Sequence, residues 1–375
     1  MKIVIAPNSF KDCLNASDAA TAIEKGVLNV LPDAQTVKIS LADGGDGLIS
    51  ALASTLGANL KEVSVNGPDY RAVKAKYAVN TEKKLAIIEM AAASGLALLK
   101  ERDRNASITT SYGTGQLIKD AIESGCNHIL LGLGGSATND TGMGILSALG
   151  YRFLDKKEIE LAPIGLNLSL VSKIDSSKKL HLLDSVKLEV ICDVDNPLYG
   201  PTGAAYVYAR QKGASDEEIK KLDDGLRNFS EVVFNHTGID ISQIKGGGAA
   251  GGISAGLYGL LNAKLRPGIE LILDIVDFKT KLKGASLVIT GEGKIDSQSQ
   301  YGKVPPGVGR ISKAKHIPCV AIAGKVDNGI SCLHECGITA IFSLCPGPLS
   351  LEKAISNAPE YLEKISEQIV RLFVS

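Results

Sequence analysis

No run of about 18 apolar residues occurs in the chain, so the sequence offers no membrane span. The N-terminus, MKIVIAPNSFKD, reads at once as strand and turn, and its apolar stretch ends too soon for a secretory signal. There is no C-x-x-C pair. The seven cysteines are an odd number, widely spread, which argues for reduced thiols and a cytoplasmic setting. One group, Cys332, His334 and Cys336, has metal-like composition, but on a helix His334 would point away from the two cysteines, and packing is the better reading. No basic stretch is long enough to track a phosphate backbone, and 41 Lys and Arg balance 41 Asp and Glu. That argues against a nucleic-acid partner and favours a small polar substrate. Internal repeats and low-complexity linkers are also missing. So is any G-x-x-x-x-G-K-[ST]; the Gly-Lys pairs ending at Lys303 and Lys325 are followed by Val, which excludes a Walker-type P-loop.

What is present is enough for a sizeable core: 375 residues, 45% hydrophobic and 22% charged, long enough for two domains. IVIAP, DAATAIEKGVLNVL and TVKISLA read as strand, helix and strand. ASLVIT, PCVAIA and ITAIFSL are apolar strands separated by the helical stretches GVGRISKAKH and ISCLHEC. These two ends of the chain suit one doubly wound parallel sheet. Between them, LKEVSVNG, AVKAKYAVN and KLAIIEMA alternate apolar and polar residues around turn signals, as antiparallel strands do. The expected fold is therefore α/β with two domains: residues 1–60 and 283–375 form a parallel-sheet domain, and 61–282 form an inserted domain with a mixed sheet.

The stretch HILLGLGGSATNDTGMGILSALG places six glycines and several short polar residues directly behind an apolar run. Gly132 to Ala137 matches the dinucleotide fingerprint G-x-G-x-x-A, and Asp155 lies about twenty residues on. That pattern requires a helix to start at once, whereas Ser136, Thr138, Asn139, Asp140 and Thr141 are poor helix formers. A helix starting near Gly142 is expected instead, preceded by a loop of bare amides suited to a phosphate or carboxylate. Gly252 to Gly256 matches the nucleophile elbow G-x-S-x-G, but it follows the glycine run GGGAAGG rather than a strand, which argues against hydrolase chemistry.

Four polar clusters fall where strands should end: Ser9, Phe10 and Lys11; Asp43 and Asp46 in ADGGDG; Asp193, Asp195 and Asn196 in CDVDNP; and Glu292 and Asp296 in TGEGKID. Ligands of open α/β sheets bind outside the carboxyl ends of strands. Carboxylates for Mg²⁺, a lysine for phosphate charge and bare amides are the parts phosphoryl transfer needs.

APNSFK, ADGGDG, GLGGSATND, CDVDNPL, QKGA (211–214), GGGAAGG and GEGKIDSQS followed by GKVPPGV occur in order along nearly the whole chain, and together they resemble the glycerate kinase family. The resemblance implies a flavodoxin-like domain built from both termini, an inserted α/β domain and an active site between them. It also implies ATP-dependent phosphorylation of D-glycerate, most readily at O2, with Mg²⁺. Asn8, Asp46 and Thr141 depart from the family pattern, which has Asp, Glu and Gly there. The expected catalytic residues are Asp193, Lys11 as an anion clamp, and Asp43. Substrate and phosphate contacts are expected from Ser9, Phe10, Gly44, Gly45, Gly134, Gly135, Ser136, Thr138, Asn139, Asn196 and Glu292, and Mg²⁺ ligands from Asp43, Asp46 and Asp195. Which carboxylate accepts the proton and which binds metal stays open, as do O2 against O3 transfer and monomer against homodimer. A nicotinamide-dependent hydroxy-acid dehydrogenase and a non-catalytic small-molecule sensor are the competing readings.

Overall fold

The structure, a computed structural model, describes residues 1–10, 13–42, 48–296 and 302–375, with the backbone alone described at Ser50, Ala51 and Ser54. Its strands are β1 (Lys2–Pro7), β2 (Gln35–Lys38), β3 (Asn59–Asn66), β4 (Ala72–Asn80), β5 (Leu85–Glu89), β6 (His128–Gly132), β7 (Arg152–Leu154), β8 (Lys173–Asp175), β9 (Lys187–Ile191), β10 (Lys264–Arg266), β11 (Leu287–Ile295), β12 (Cys319–Val326) and β13 (Ala340–Ser343). The chain divides into two compact units, one of Met1–Asp43, Ser50–Leu56 and Pro267–Ser375, the other of Gly44–Ile49 and Gly57–Arg266. Residues 267–282 thus belong with the first unit. The helix Gly268–Ile275 places Ile269 and Leu273 against Gly307 of the helix Val304–Ala314, which packs on β11 and β12.

The first unit carries a five-stranded, wholly parallel sheet in the order β13-β12-β11-β1-β2. Numbered within the unit and read from β2, this is 2-1-3-4-5, the flavodoxin-like order. The strands read as unbroken apolar runs because both faces are covered. Ile3 and Ile5 of β1 and Ile289 of β11 meet Ile23, Val27, Leu362 and Ile369 on helices Ala16–Val30 and Ala358–Val374. Val4, Ala6 and Val288 turn to the opposite face and are equally buried. Helix Ala16–Val30 begins where the Asn15 side chain accepts from the Asp18 N–H, and it stops just before Pro32, which disfavours helical backbone in the residue ahead of it.

The second unit is built on a six-stranded mixed sheet in the order β10-β9-β6-β5-β4-β3. β3, β4 and β5 pair antiparallel, and β5, β6, β9 and β10 pair parallel; β3 and the first half of β4 alternate, whereas β5, buried on both faces, is where the sheet turns from one mode to the other. β7 and β8 form a separate antiparallel ribbon. A long helix, Asp216–Thr237, opens with a reciprocal capping box between Ser215 and Glu218 and closes at Gly238. It buries Leu222, Leu226, Phe229 and Val233 in the core of this unit.

Candidate active site

In the second unit, β6 and β9 lie side by side and parallel, and the segments leaving their carboxyl ends enclose a cavity of about 380 Å³. Gly134, Gly135 and Ser136 follow β6, Cys192, Asp193 and Val194 follow β9, and Tyr208, Gln211 and Lys212 close another wall. Between Gly132 and the next helix, Met143–Ala148, the chain is irregular. The helix starts after Gly142, and the dinucleotide fingerprint therefore lacks the helix it needs. Asp155, the expected ribose partner, is spent on a turn, accepting from the N–H groups of Lys157 and Ile159. The loop is held from below: Leu96 N–H donates to the Gly135 carbonyl and Ala137 N–H to that of Ser94.

Lys212 is the side chain the sequence reading did not single out. It is 2% exposed, and its Nζ donates to Ser136 Oγ at 2.7 Å and to the Thr138 carbonyl at 2.8 Å. Burial drives its pKa from 10.5 down to about 7, opposed by the negative charge of Asp140. Its position is set by the backbone. A short turn, Arg210–Lys212, ends at Gly213 with φ +92°, where a Cβ would stand 2.2 Å from the Arg104 carbonyl oxygen. Only glycine fits there, which gives the QKGA motif its Lys-Gly order.

Asp140 is fully buried and organises the rest of the loop. Its Oδ2 accepts from Ser111 N–H, Ser111 Oγ and Gly144 N–H, and its Oδ1 from Gly142 N–H. Burial raises its pKa, against the pull of these four donors. Thr141 beside it adopts φ +51°, a strained conformation for a β-branched residue. The glycine run packs on this same backbone: Ala250, Gly251 and Gly252 are all left-handed, and a Cβ on Gly251 would lie 2.2 Å from the Thr138 carbonyl oxygen. The elbow-like Ser254 is wholly buried and donates to the Gly246 carbonyl, an anchoring role rather than a nucleophile's.

Of the residues expected at the site, Gly134, Gly135, Ser136 and Asp193 line the cavity. Thr138 and Asn139 are wholly buried; Thr138 gives its carbonyl to Lys212, while its Oγ1 and both Asn139 amide atoms have no partner among the described residues. Asn196 is a brace within its own loop, donating to the Thr202 carbonyl and accepting from Tyr208 Oη. Asp195 is exposed and paired with Lys245. In the first unit, Glu292 is buried within β11 rather than beyond its end, because that strand continues to Ile295. Phe10 is 2% exposed and belongs to the core with Ile5, Ala19 and Leu344. Ser9 sits just past β1, where its N–H binds the Asn8 side chain. Lys11, Asp43, Gly44, Gly45 and Asp46 lie outside the described residues.

The family model described as "Glycerate kinase family" matches residues 3–374. The chain belongs to the glycerate kinase family. It is an enzyme, a phosphotransferase, which removes the dehydrogenase and sensor readings. Among relatives, a Bacillus cereus protein named glycerate kinase is 44% identical, over 100% of this chain and 98% of the relative. An Escherichia coli K12 protein named glycerate 2-kinase is 42% identical, over 98% and 97%. A crystal structure of a Salmonella typhimurium LT2 protein described as a glycerate kinase 2 superposes with a TM-score of 0.92 at 41% identity, covering 100% of this chain and 98% of that one. In this glycerate kinase family member no helix of the described residues is long and apolar enough to cross a membrane.

Proposed function

We propose that the chain transfers the γ-phosphoryl group of ATP to O2 of D-glycerate, with Mg²⁺. The observation that carries this reading is the cavity outside β6 and β9, where bare loop amides, the Asp193 carboxylate and a buried lysine converge on a volume suited to a small anion. Asp193 is the proton acceptor for the attacking hydroxyl; the loose transition state of phosphoryl transfer asks only for a modest base. The amides of Gly134 and Gly135 cradle anionic oxygen; Lys11, as an anion clamp, and Asp43 and Glu292 are the further residues we assign to phosphate and substrate binding. Mg²⁺ would be held by carboxylates among Asp43, Asp46 and Asp195 together with phosphate oxygens, and would neutralise charge on the phosphates. Names of relatives such as the E. coli glycerate 2-kinase support O2 as the site of transfer. ADP release from ATP, Mg²⁺ and D-glycerate tests the activity, and phosphorus NMR of the product tests the position. Absence of ADP above background would overturn the reading, and 3-phosphoglycerate as product would overturn O2.

A further inference from the structure

As an ammonium, Lys212 poses an electrostatic problem that its neighbours do not solve. An ammonium group has three donors and needs compensation when buried. Here two donors go to a hydroxyl and a carbonyl, both neutral, and the third has no partner among the described residues. The nearest compensating charge, Asp140, acts through space and is already saturated by Ser111, Gly142 and Gly144. Yet the lysine lines the cavity that Asp193 and the glycine loop share. We infer that Lys212 is the specificity-determining contact for the acid's carboxylate: Ser136 and Thr138 aim its third N–H into the cavity, and the bound carboxylate supplies the missing counter-charge. This inference rests on the glycerate reading above and deepens it.

A consequence is that binding takes up a proton. In the free protein Lys212 is largely neutral above pH 7, whereas beside a carboxylate the ammonium form is favoured. The groups facing it do not replace this titration. Asp140 acts only as a field, Asp193 stands on the opposite loop, and Arg104 turns its carbonyl toward Gly213. Cys192 and Tyr208 on the cavity wall are both pushed up by burial, so they stay protonated near neutral pH.

The test is calorimetric titration of D-glycerate into the full-length protein saturated with a non-hydrolysable ATP analogue and Mg²⁺, in phosphate, HEPES and Tris. The dependence of heat on buffer ionisation should give uptake of roughly 0.9 proton at pH 8, falling to roughly 0.1 at pH 6, for a group titrating near 7. In parallel, Lys212→Met should raise KM for D-glycerate on the order of 30-fold or more, the cost of stripping the partner from a buried charge, while KM for ATP stays within about threefold. A merely loop-propping lysine would alter the melting temperature but produce no buffer-dependent heat in the parent. Should Lys212→Met fail to fold, Lys212→Gln, which keeps polar contacts to Ser136 and Thr138 without the charge, is measured in its place. If the parent forms ADP from D-glycerate, and a folded Lys212 variant keeps the parental KM for D-glycerate, the assignment of Lys212 is overturned and the kinase reading stands. If the parent forms no ADP, both fall.

Discussion

Asp140→Asn tests whether the loop behind β6 is held by one buried carboxylate. Three donors converge on Oδ2 and one on Oδ1. The amide oxygen of Asn takes the Oδ2 site, since that keeps three bonds, and its NH₂ then confronts the Gly142 N–H, donor against donor, with neither reaching water. One buried unpaired N–H costs about 1–3 kcal/mol, and turning three charge-assisted bonds into neutral ones adds on the order of 1 kcal/mol, offset in part by the lower cost of burying a neutral group. A net loss of about 2–3 kcal/mol lowers Tm by roughly 4–12 °C for a unit the size of Gly57–Arg266. The same substitution removes the negative charge that raises the pKa of Lys212. The acid limb of D-glycerate proton uptake should therefore move to lower pH. Differential scanning calorimetry and the buffer-series titration read the two effects separately. A Tm within 2 °C of the parent, with the proton-uptake curve unmoved, would refute the reasoning that this carboxylate both ties the loop and sets the lysine's field.

Asp193→Asn, nearly isosteric, should reduce kcat by about 10²- to 10⁴-fold with the melting curve unchanged; a simultaneous rise in Mg²⁺ requirement would mark a metal ligand rather than a base, and a kcat above a tenth of parental would return Asp193 to a turn residue. Gly251→Ala puts a methyl group 2.2 Å from the Thr138 carbonyl oxygen at φ +70°, so the left-handed backbone and the overpacking together should cost about 2–5 kcal/mol; a variant as stable as the parent in urea titration contradicts the packing described. Glu189, 2% exposed in β9, accepts from Lys187 Nζ and His128 Nε2, each at 2.6 Å. Burial pushes its carboxyl up, but Lys187 and His128 leave it below the ordinary value, so its stabilisation is present above about pH 4.3 and fades as pH falls through the lowered pKa. Glu189→Gln should lose about 1–3 kcal/mol at pH 7, discounted because Lys187 is half exposed, with the gap to the parent narrowing toward pH 3; a pH-independent gap would show that ionisation is not the source.

The sheets were legible because burial on two faces and burial on one write different patterns. IVIAP, ASLVIT and PCVAIA are continuous apolar runs, and each became a strand of the wholly parallel sheet. LKEVSVN and the first half of AVKAKYAVN alternate, and each became antiparallel with one more exposed face; the end of the second strand, from Tyr77 to Asn80, is buried on both. Boundaries were harder. Residues 267–282 carry ordinary amphipathic helices, and nothing in their periodicity says which sheet they cover; that is decided by Ile269 and Leu273 meeting Gly307. The end of the strand at Glu292 was misplaced for a related reason: TGEGKID reads as a turn, but pairing of β11 with β12 continues through Lys294 and Ile295 and overrides the two glycines.

At the site, the backbone features showed and the buried charge did not. Gly134, Gly135 and Ser136 announce themselves because bare amides behind a strand have few other uses, and Asp193 because it ends one. Phe10 was drawn into that set by its neighbours in APNSFK, though a phenyl ring one turn beyond a strand has core to fill. Lys212 was hidden by the opposite bias, since lysines are almost always exposed and a lysine in a polar stretch carries no sign of burial. The sign available was the glycine after it: a residue with φ +92° pressed to within 2.2 Å of a carbonyl is a fixed point in the chain, and it holds the preceding side chain inward. A lysine locked in this way cannot turn out to water to recover its solvation. It must therefore lose its proton or meet an anion, and a substrate carboxylate arriving in the cavity allows the second.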